Sequence, residues 1–248
     1  MPVVVLPVSS PDRPAPDRVV VVVPAHNEER LLPACIAALD DATSRVAVPV
    51  ELVVVLDACT DGSAGLIPEH VTTVIGTARS VGAARRSGFA PHLDIPNAHR
   101  TWFATTDADS EVPPDWLATQ LDVAGRGADV FVGTITPKNW DSWSPRTALI
   151  FGDRYLPGDG HFHVHGANLG VRADWYRRVG GFAARTGDED VDLIRRLRAA
   201  GARIDRSGRS PVITSTRADG RTHAGFAAYL NQLEILGRQD PPARKVSP

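Results

Sequence analysis

Arg18-Val-Val-Val-Val-Val23-Pro24-Ala-His-Asn-Glu28 is the stretch on which the fold turns. Five consecutive valines leave no polar face, so a strand made from them must be covered on both sides. Such strands lie in the middle of sheets that carry helices above and below. Pro24 stops the run, and polar residues crowd its carboxyl end. Beyond it, Glu29-Arg-Leu-Leu-Pro-Ala-Cys-Ile-Ala-Ala-Leu39 has helical apolar spacing, with Asn27 as a candidate N-cap.

Working outward, the alternation repeats. Glu51 to Leu56 reads as a second buried strand ending at Asp57-Ala-Cys-Thr-Asp61-Gly62, and Val71 to Ile75 as a third, weaker one. Gly82-Ala-Ala-Arg85-Arg86-Ser-Gly-Phe-Ala90 continues as a helix, and Thr101-Trp-Phe-Ala-Thr-Thr106 supplies a fourth strand. Strands alternating with helices predict an α/β fold with a mostly parallel central sheet and helices on both faces. A last core strand is expected over Pro211 to Ser215.

Composition narrows the partners. A chain of 248 residues with 43% hydrophobic content suits one sizeable domain. The formal charge of -2 gives no electrostatic reason to bind nucleic acid or an anionic membrane. Cys35 and Cys59 have neither metal spacing nor a disulfide framework, which fits a reducing, cytoplasmic compartment. No stretch reaches the roughly 18 apolar residues of a membrane span, so no integral membrane segment is expected. Residues 1–17, rich in Pro, Ser and Asp towards their end, read as a flexible N-terminal arm. Oligomeric state leaves no mark on the sequence.

Ligands of open α/β sheets bind beyond the carboxyl ends of the strands. Three polar clusters fall there: Pro24-Ala25-His26-Asn-Glu28, Asp57 with Asp61, and Asp107-Ala-Asp109. On an extended backbone Asp107 and Asp109 point to the same side, where two hard oxygen donors suit one divalent cation. The first strand end lacks the glycines of a dinucleotide-binding turn, which argues against a dehydrogenase. His161-Phe-His163-Val-His165, if extended, projects three imidazoles to one face, for ligand contact or for zinc. Trp140 and Trp143 lie in a polar loop and could form a lid or an aromatic wall for a ligand to stack on, or pack locally. Trp116 and Trp175 are expected in the core.

Taken in order, these pieces resemble the GT-A nucleotide-sugar glycosyltransferases, especially the large glycosyltransferase family 2. The likeness covers roughly residues 18–230. It rests on Val-Pro24-Ala-His-Asn-Glu28-Glu, Val-Val-Leu-Asp57-Ala-Cys-Thr-Asp61-Gly-Ser, Asp107-Ala-Asp109, Gly166-Ala-Asn168-Leu-Gly-Val-Arg172 with Val179-Gly-Gly-Phe182, and Glu189-Asp190-Val-Asp-Leu193. It implies a GT-A (Rossmann-like nucleotide-diphospho-sugar transferase) fold in one catalytic domain, 18–230. Residues 18–110 would hold the donor nucleotide and 111–230 the acceptor, with a C-terminal tail over 231–248. The implied activity is metal-dependent transfer of a sugar, as by a hexosyltransferase, from a nucleoside diphosphate sugar to the hydroxyl of a small or soluble acceptor. A UDP-sugar is the favoured donor.

The resemblance also implies roles. Pro24, Ala25 and His26 would hold the nucleoside, Asp57 would accept the base N–H, and Glu28 would meet ribose or base. Arg79 and Arg85 stand where diphosphate-binding basic residues are expected, and guanidinium forks suit phosphate oxygens. Asp107 would lie near the ribose, and Asp109 would ligate Mn2+ or Mg2+, with His223 completing the shell. Asp190 looks like the base of inverting members, with Glu189 as the fallback. Asn168, His163, His165 and Trp140 would face the acceptor. The alternatives are a retaining transferase of the glycerate-acceptor type, a non-catalytic nucleotide-sugar-binding protein, and a metal-dependent phosphohydrolase or nucleotidyltransferase.

Overall fold

The computed structural model describes residues 13–185, 187–219 and 225–239. The strands and α-helices run in the order β1 (Arg18–Ala25), α1 (Leu32–Ser44), β2 (Val50–Asp57), β3 (Thr72–Gly76), α2 (Val81–Phe89), β4 (Thr101–Thr105), β5 (Ser110–Glu111), α3 (Trp116–Gly125), β6 (Val130–Val132), β7 (Ile135–Pro137), α4 (Pro145–Arg154), β8 (Leu169–Arg172), α5 (Ala173–Arg178), α6 (Glu189–Ala199), β9 (Ile204–Arg206), β10 (Val212–Thr214) and α7 (Phe226–Gln239). A seven-stranded sheet has the order β3-β2-β1-β4-β8-β6-β9, and a second sheet has the order β5-β10-β7. In the larger sheet β8 alone runs antiparallel to its neighbours β4 and β6. The sheet is therefore mostly parallel, as the buried strands demanded.

The valine run does what its composition requires. Val19, Val21 and Val23 enter one core cluster, with Cys35, Ile36 and Leu39 of α1 and Trp116 and Leu117 of α3. Val20 and Val22 enter the other, with Phe89 of α2, Tyr176 of α5 and Leu193 and Leu197 of α6. None of the five is more than 1% exposed, and each buried valine contributes about 1.5–3 kcal/mol. A third cluster lies apart from the sheet, where Trp143, Phe151 and Tyr155 pack against Leu230 and Leu233.

Several expectations change. Asn27 does not cap α1, whose N-cap is Leu31. It sits in the left-handed region (φ 54°) and its side chain accepts from the Thr60 amide at 2.7 Å, tying two strand ends together. The last core strand belongs to the small sheet, where β10 pairs with β5 and β7. The end of the expected arm is pinned: Arg13 bridges Asp129, Asp17 bridges Arg100, and Arg172 donates to the Pro14 carbonyl. The expected tail boundary at 230/231 falls inside α7, which buries Leu233. Among the described residues no helix is long and apolar enough to cross a membrane.

Gly88 shows how closely α2 lies on the sheet. A Cβ there would stand 2.6 Å from Val22 Cγ1 and 2.9 Å from Val55 Cγ2. Ala favours a helix over Gly by about 1 kcal/mol, but overpacking a core costs about 1–3 kcal/mol. Gly88→Ala should therefore be destabilising on balance, read as a lower denaturant midpoint with an unchanged slope.

Candidate active site

The carboxyl ends of β1, β2 and β4 open into one cleft of about 690 Å³, closed on the far side by the start of α6, the segment before β8 and the residues after β10. Pro24, Ala25, His26, Glu28, Asp57, Arg79, Arg85, Asp107, Asp109, His165, Glu189 and Asp190 all line it. His163, Asn168 and Trp140 lie outside the lining, and His223 lies outside the described residues. Backbone strain gathers at the rim, since Asn27, Arg79 and Asp188 all have positive φ, as held functional loops often do.

At the β2 end, Asp57 is 4% exposed. Its Oδ2 accepts from the Ser80 amide at 2.8 Å, while Oδ1 is buried without a partner among the described residues. An unpaired buried acceptor is costly, and an incoming N–H would relieve it. His26 is fixed beside it, Nδ1 lying 2.6 Å from the Asp57 carbonyl. Asp61 is spent on structure: it accepts from the Glu29 and Ser63 amides, and these bonds hold its carboxyl below the usual range.

Asp107 and Asp109 do not act as a same-side pair. The strand stops at Thr105, and a turn closed by the Ser110 amide on the Asp107 carbonyl (3.0 Å) replaces the extended backbone on which that reading depended. Each carboxylate then finds its own guanidinium. Arg85 is 1% exposed and reaches Asp107 Oδ1 and Glu189 Oε1, both at 2.5 Å, with a third bond to Thr105 Oγ1. It is therefore a buried tie beneath the cleft, and not the free phosphate-binding fork the sequence suggested. Arg79 remains at the mouth, exposed and without a polar partner among the described residues.

Arg217 is the residue the sequence reading missed. Its fork meets Glu28 Oε1 at 2.7 Å and Oε2 at 3.0 Å, and Nη2 also lies 2.8 Å from Asp109 Oδ2. Glu28 is thus bound to a guanidinium where ribose or base was expected. Burial, together with the nearby Asp107 and Glu28 charges and against Arg217, pushes the Asp109 carboxyl up to about 6. The available signal was position: Arg217 follows β10 by three residues, at the mouth of the same cleft.

On the opposite side of the cleft, Asp190 accepts from the Gly166 and Val191 amides, each at 2.7 Å. Burial first and the adjacent Glu189 second push its carboxyl up to about 6, against Arg85. Glu189, locked to Arg85, is poorly placed to serve as a fallback base. His165 lies 3.0 Å from the Tyr155 hydroxyl, and burial holds its pKa at about 3, so it is neutral. His163 accepts from the Leu156 amide and stacks on Tyr155 at 4.1 Å, outside the cleft. His161 bonds the Val132 carbonyl. Among the described residues no cluster of three His, Cys, Asp or Glu is arranged as a metal site, so the three histidines form none. Trp140 packs on Phe151, and the Trp143 indole donates to the Thr216 carbonyl, so both are packing residues and not a sugar-stacking wall.

Fold and cleft together define the class: a GT-A-type α/β domain with its pocket over the strand ends. The family model for glycosyl transferase family 2 matches residues 20–180. The chain belongs to that family. Among curated relatives, it is 31% identical over 132 residues to an undecaprenyl-phosphate 4-deoxy-4-formamido-L-arabinose transferase of Aeromonas hydrophila, covering 52% of this chain and 40% of the relative. The counterpart from Serratia proteamaculans is 30% identical over 139 residues, covering 53% and 40%. The matches thus span about two fifths of those proteins. Among solved structures, S. aureus TarS 1–349 with UDP-GlcNAc superposes with a TM-score of 0.62 at 12% identity, covering 92% of this chain and 68% of that one. The mannosyltransferase PcManGT of Pyrobaculum calidifontis, with GDP-Man and Mn2+, gives 0.58 at 19% identity, covering 95% and 69%.

Asn168 is fully buried beneath the cleft. Its Oδ1 accepts from the Trp116 indole (2.8 Å), and its amide donates to the Thr134 and Ser210 carbonyls. Asn168→Ala strands these groups and should cost about 2–4 kcal/mol. It should lower the melting temperature, while residual folded protein keeps an unchanged KM for acceptor.

Proposed function

We propose that this chain is a glycosyltransferase that moves a sugar from a nucleoside diphosphate sugar to a hydroxyl acceptor, inverting at the anomeric carbon, with Asp190 as base. The observation that carries the reading is Asp190 itself, a carboxylate held by two backbone amides in the donor cleft with a pKa of about 6. A base of that strength is ionised at neutral pH and still takes a proton from an attacking hydroxyl. Nucleoside recognition falls to the β1 and β2 ends. Asp57 Oδ1 waits there for an N–H donor, which a uracil or guanine ring supplies, and UDP is the favoured carrier. Arg79, at the mouth and without a polar partner among the described residues, is the cation for the diphosphate.

Asp109 is the residue to hold Mn2+ or Mg2+. The donor set fits, because such ions are usually bound through one or two carboxylates and completed by substrate phosphates and water. When bound, the ion neutralises charge on the departing diphosphate. The protein's own residues do the rest: Arg85 fixes Asp107 and Glu189, Gly166 aims Asp190, and neutral His165 lines the acceptor side.

A second reading concerns the acceptor. The curated relatives are named for transfer to undecaprenyl phosphate, and apolar residues including Ile135, Val164 and Phe226 line that side of the cleft. A phosphate oxygen attacks without losing a proton, so Asp190 would have no proton to take. With a hydroxyl acceptor, Asp190→Asn should abolish transfer and leave donor binding nearly intact. With a polyprenyl phosphate, the same variant should keep most of its rate. For the hydroxyl case kcat/KM should rise about tenfold per pH unit up to pH 6 and then level, since the base must be ionised.

Donor binding is checked by melting temperature. UDP or GDP with Mn2+ should raise it, because a ligand bound only to the native state stabilises that state. No shift with any nucleoside diphosphate, with or without Mn2+, removes the donor-site assignment.

A further inference from the structure

Asp109, the carboxylate assigned to the divalent ion, already holds a cation. Arg217 Nη2 lies 2.8 Å from its Oδ2, and the same guanidinium is anchored on both oxygens of Glu28. Glu28 is 6% exposed and is fixed in turn by its own amide, which donates to Ser63 Oγ at 2.9 Å. The other Asp109 oxygen, Oδ1, lies 3.5 Å from the Ser110 hydroxyl, too far for a strong bond. A divalent ion on Asp109 would therefore sit beside a guanidinium that a second carboxylate holds in place. In a cleft partly closed to water, two such cations repel strongly.

We propose that Arg217 and the divalent ion are alternative occupants of Asp109, so that the ion enters as a complex with the nucleotide and is not a resident of the free protein. This deepens the donor-site reading and rests on it. A bare ion must displace the guanidinium from Asp109 and offers it no new acceptor. An ion arriving on a diphosphate brings oxygens that compensate a guanidinium for the one it gives up. Arg217 loses one contact in the exchange and keeps two, those to Glu28, so the exchange is local and reversible.

The test titrates Mn2+ alone into the protein and follows the electron paramagnetic resonance signal of free ion. Wild type should bind Mn2+ weakly, Arg217→Gln at least about tenfold more tightly, and Arg217→Lys in between. Coupling between sites is commonly about 5–150-fold, and lysine is a point charge without the fork. Adding UDP should tighten Mn2+ in wild type by a larger factor than in Arg217→Gln. Equal or weaker Mn2+ affinity in a folded Arg217→Gln protein overturns the proposal, and so does an absence of Mn2+ binding in all three proteins. If Arg217→Gln fails to fold, Arg217→Lys decides: tighter than wild type supports the exchange, equal or weaker ends it. Because the Mn2+-alone arm contains no nucleotide, its outcome is independent of the melting experiment on which the donor-site assignment stands or falls.

Discussion

Arg85 is the tie on which the rest of the cleft depends. Burying a guanidinium costs several kcal/mol unless it is paired and hydrogen-bonded, and here Asp107, Glu189 and Thr105 each accept from one of its nitrogens, with the Phe182 ring 5.3 Å away. Those partners come from the end of β4 and the start of α6, which are far apart in the chain. The tie needs space as well as charge. A side chain on Gly166 would collide with the guanidinium, and one on Gly82 would strike the Ala183 carbonyl and Glu189. One glycine therefore makes room for the arginine and the other for its partner Glu189, and the arginine in turn sets where Glu189, and next to it Asp190, can stand.

Much of the fold was legible because burial leaves a compositional trace. Val19 to Val23 could only be a central strand, and the turn-rich ends after Val23, Leu56 and Thr106 marked where a cleft had to open. The residues that converge there were legible for the same reason: they are polar where the strands stop. Their partners were not. Nothing in the spacing of Arg85 or Arg217 distinguishes a buried tie from a phosphate-binding cation, because the difference lies in which carboxylate the fold brings within 3 Å. Arg85 meets Glu189 across 104 positions, and Arg217 meets Glu28 across 189.

The misread aromatic and imidazole residues share a cause. His161, His163 and His165 alternate as a strand would, but their segment forms no regular strand, and Tyr155 stacks into the row. Trp143 looked too polar in its surroundings to be core, but a helix far along the chain, α7, arrives to cover that loop. Asn168 sits in a family motif and reads as a ligand contact until its three hydrogen bonds, all to the protein interior, are seen. In each case a local pattern was overridden by packing against a distant element.

The third hydrophobic cluster has an architectural consequence. Phe151, Tyr155, Leu230 and Leu233 form a core of their own, separate from the two that flank the large sheet. Phe226, packed against that cluster, also lines the cleft. One wall of the pocket thus rests on a foundation that the valine strands do not share. Substitutions there can remodel the shape offered to an incoming molecule while the side built on the ends of β1, β2 and β4 keeps its geometry, so the two halves of the cleft are free to diverge at different rates.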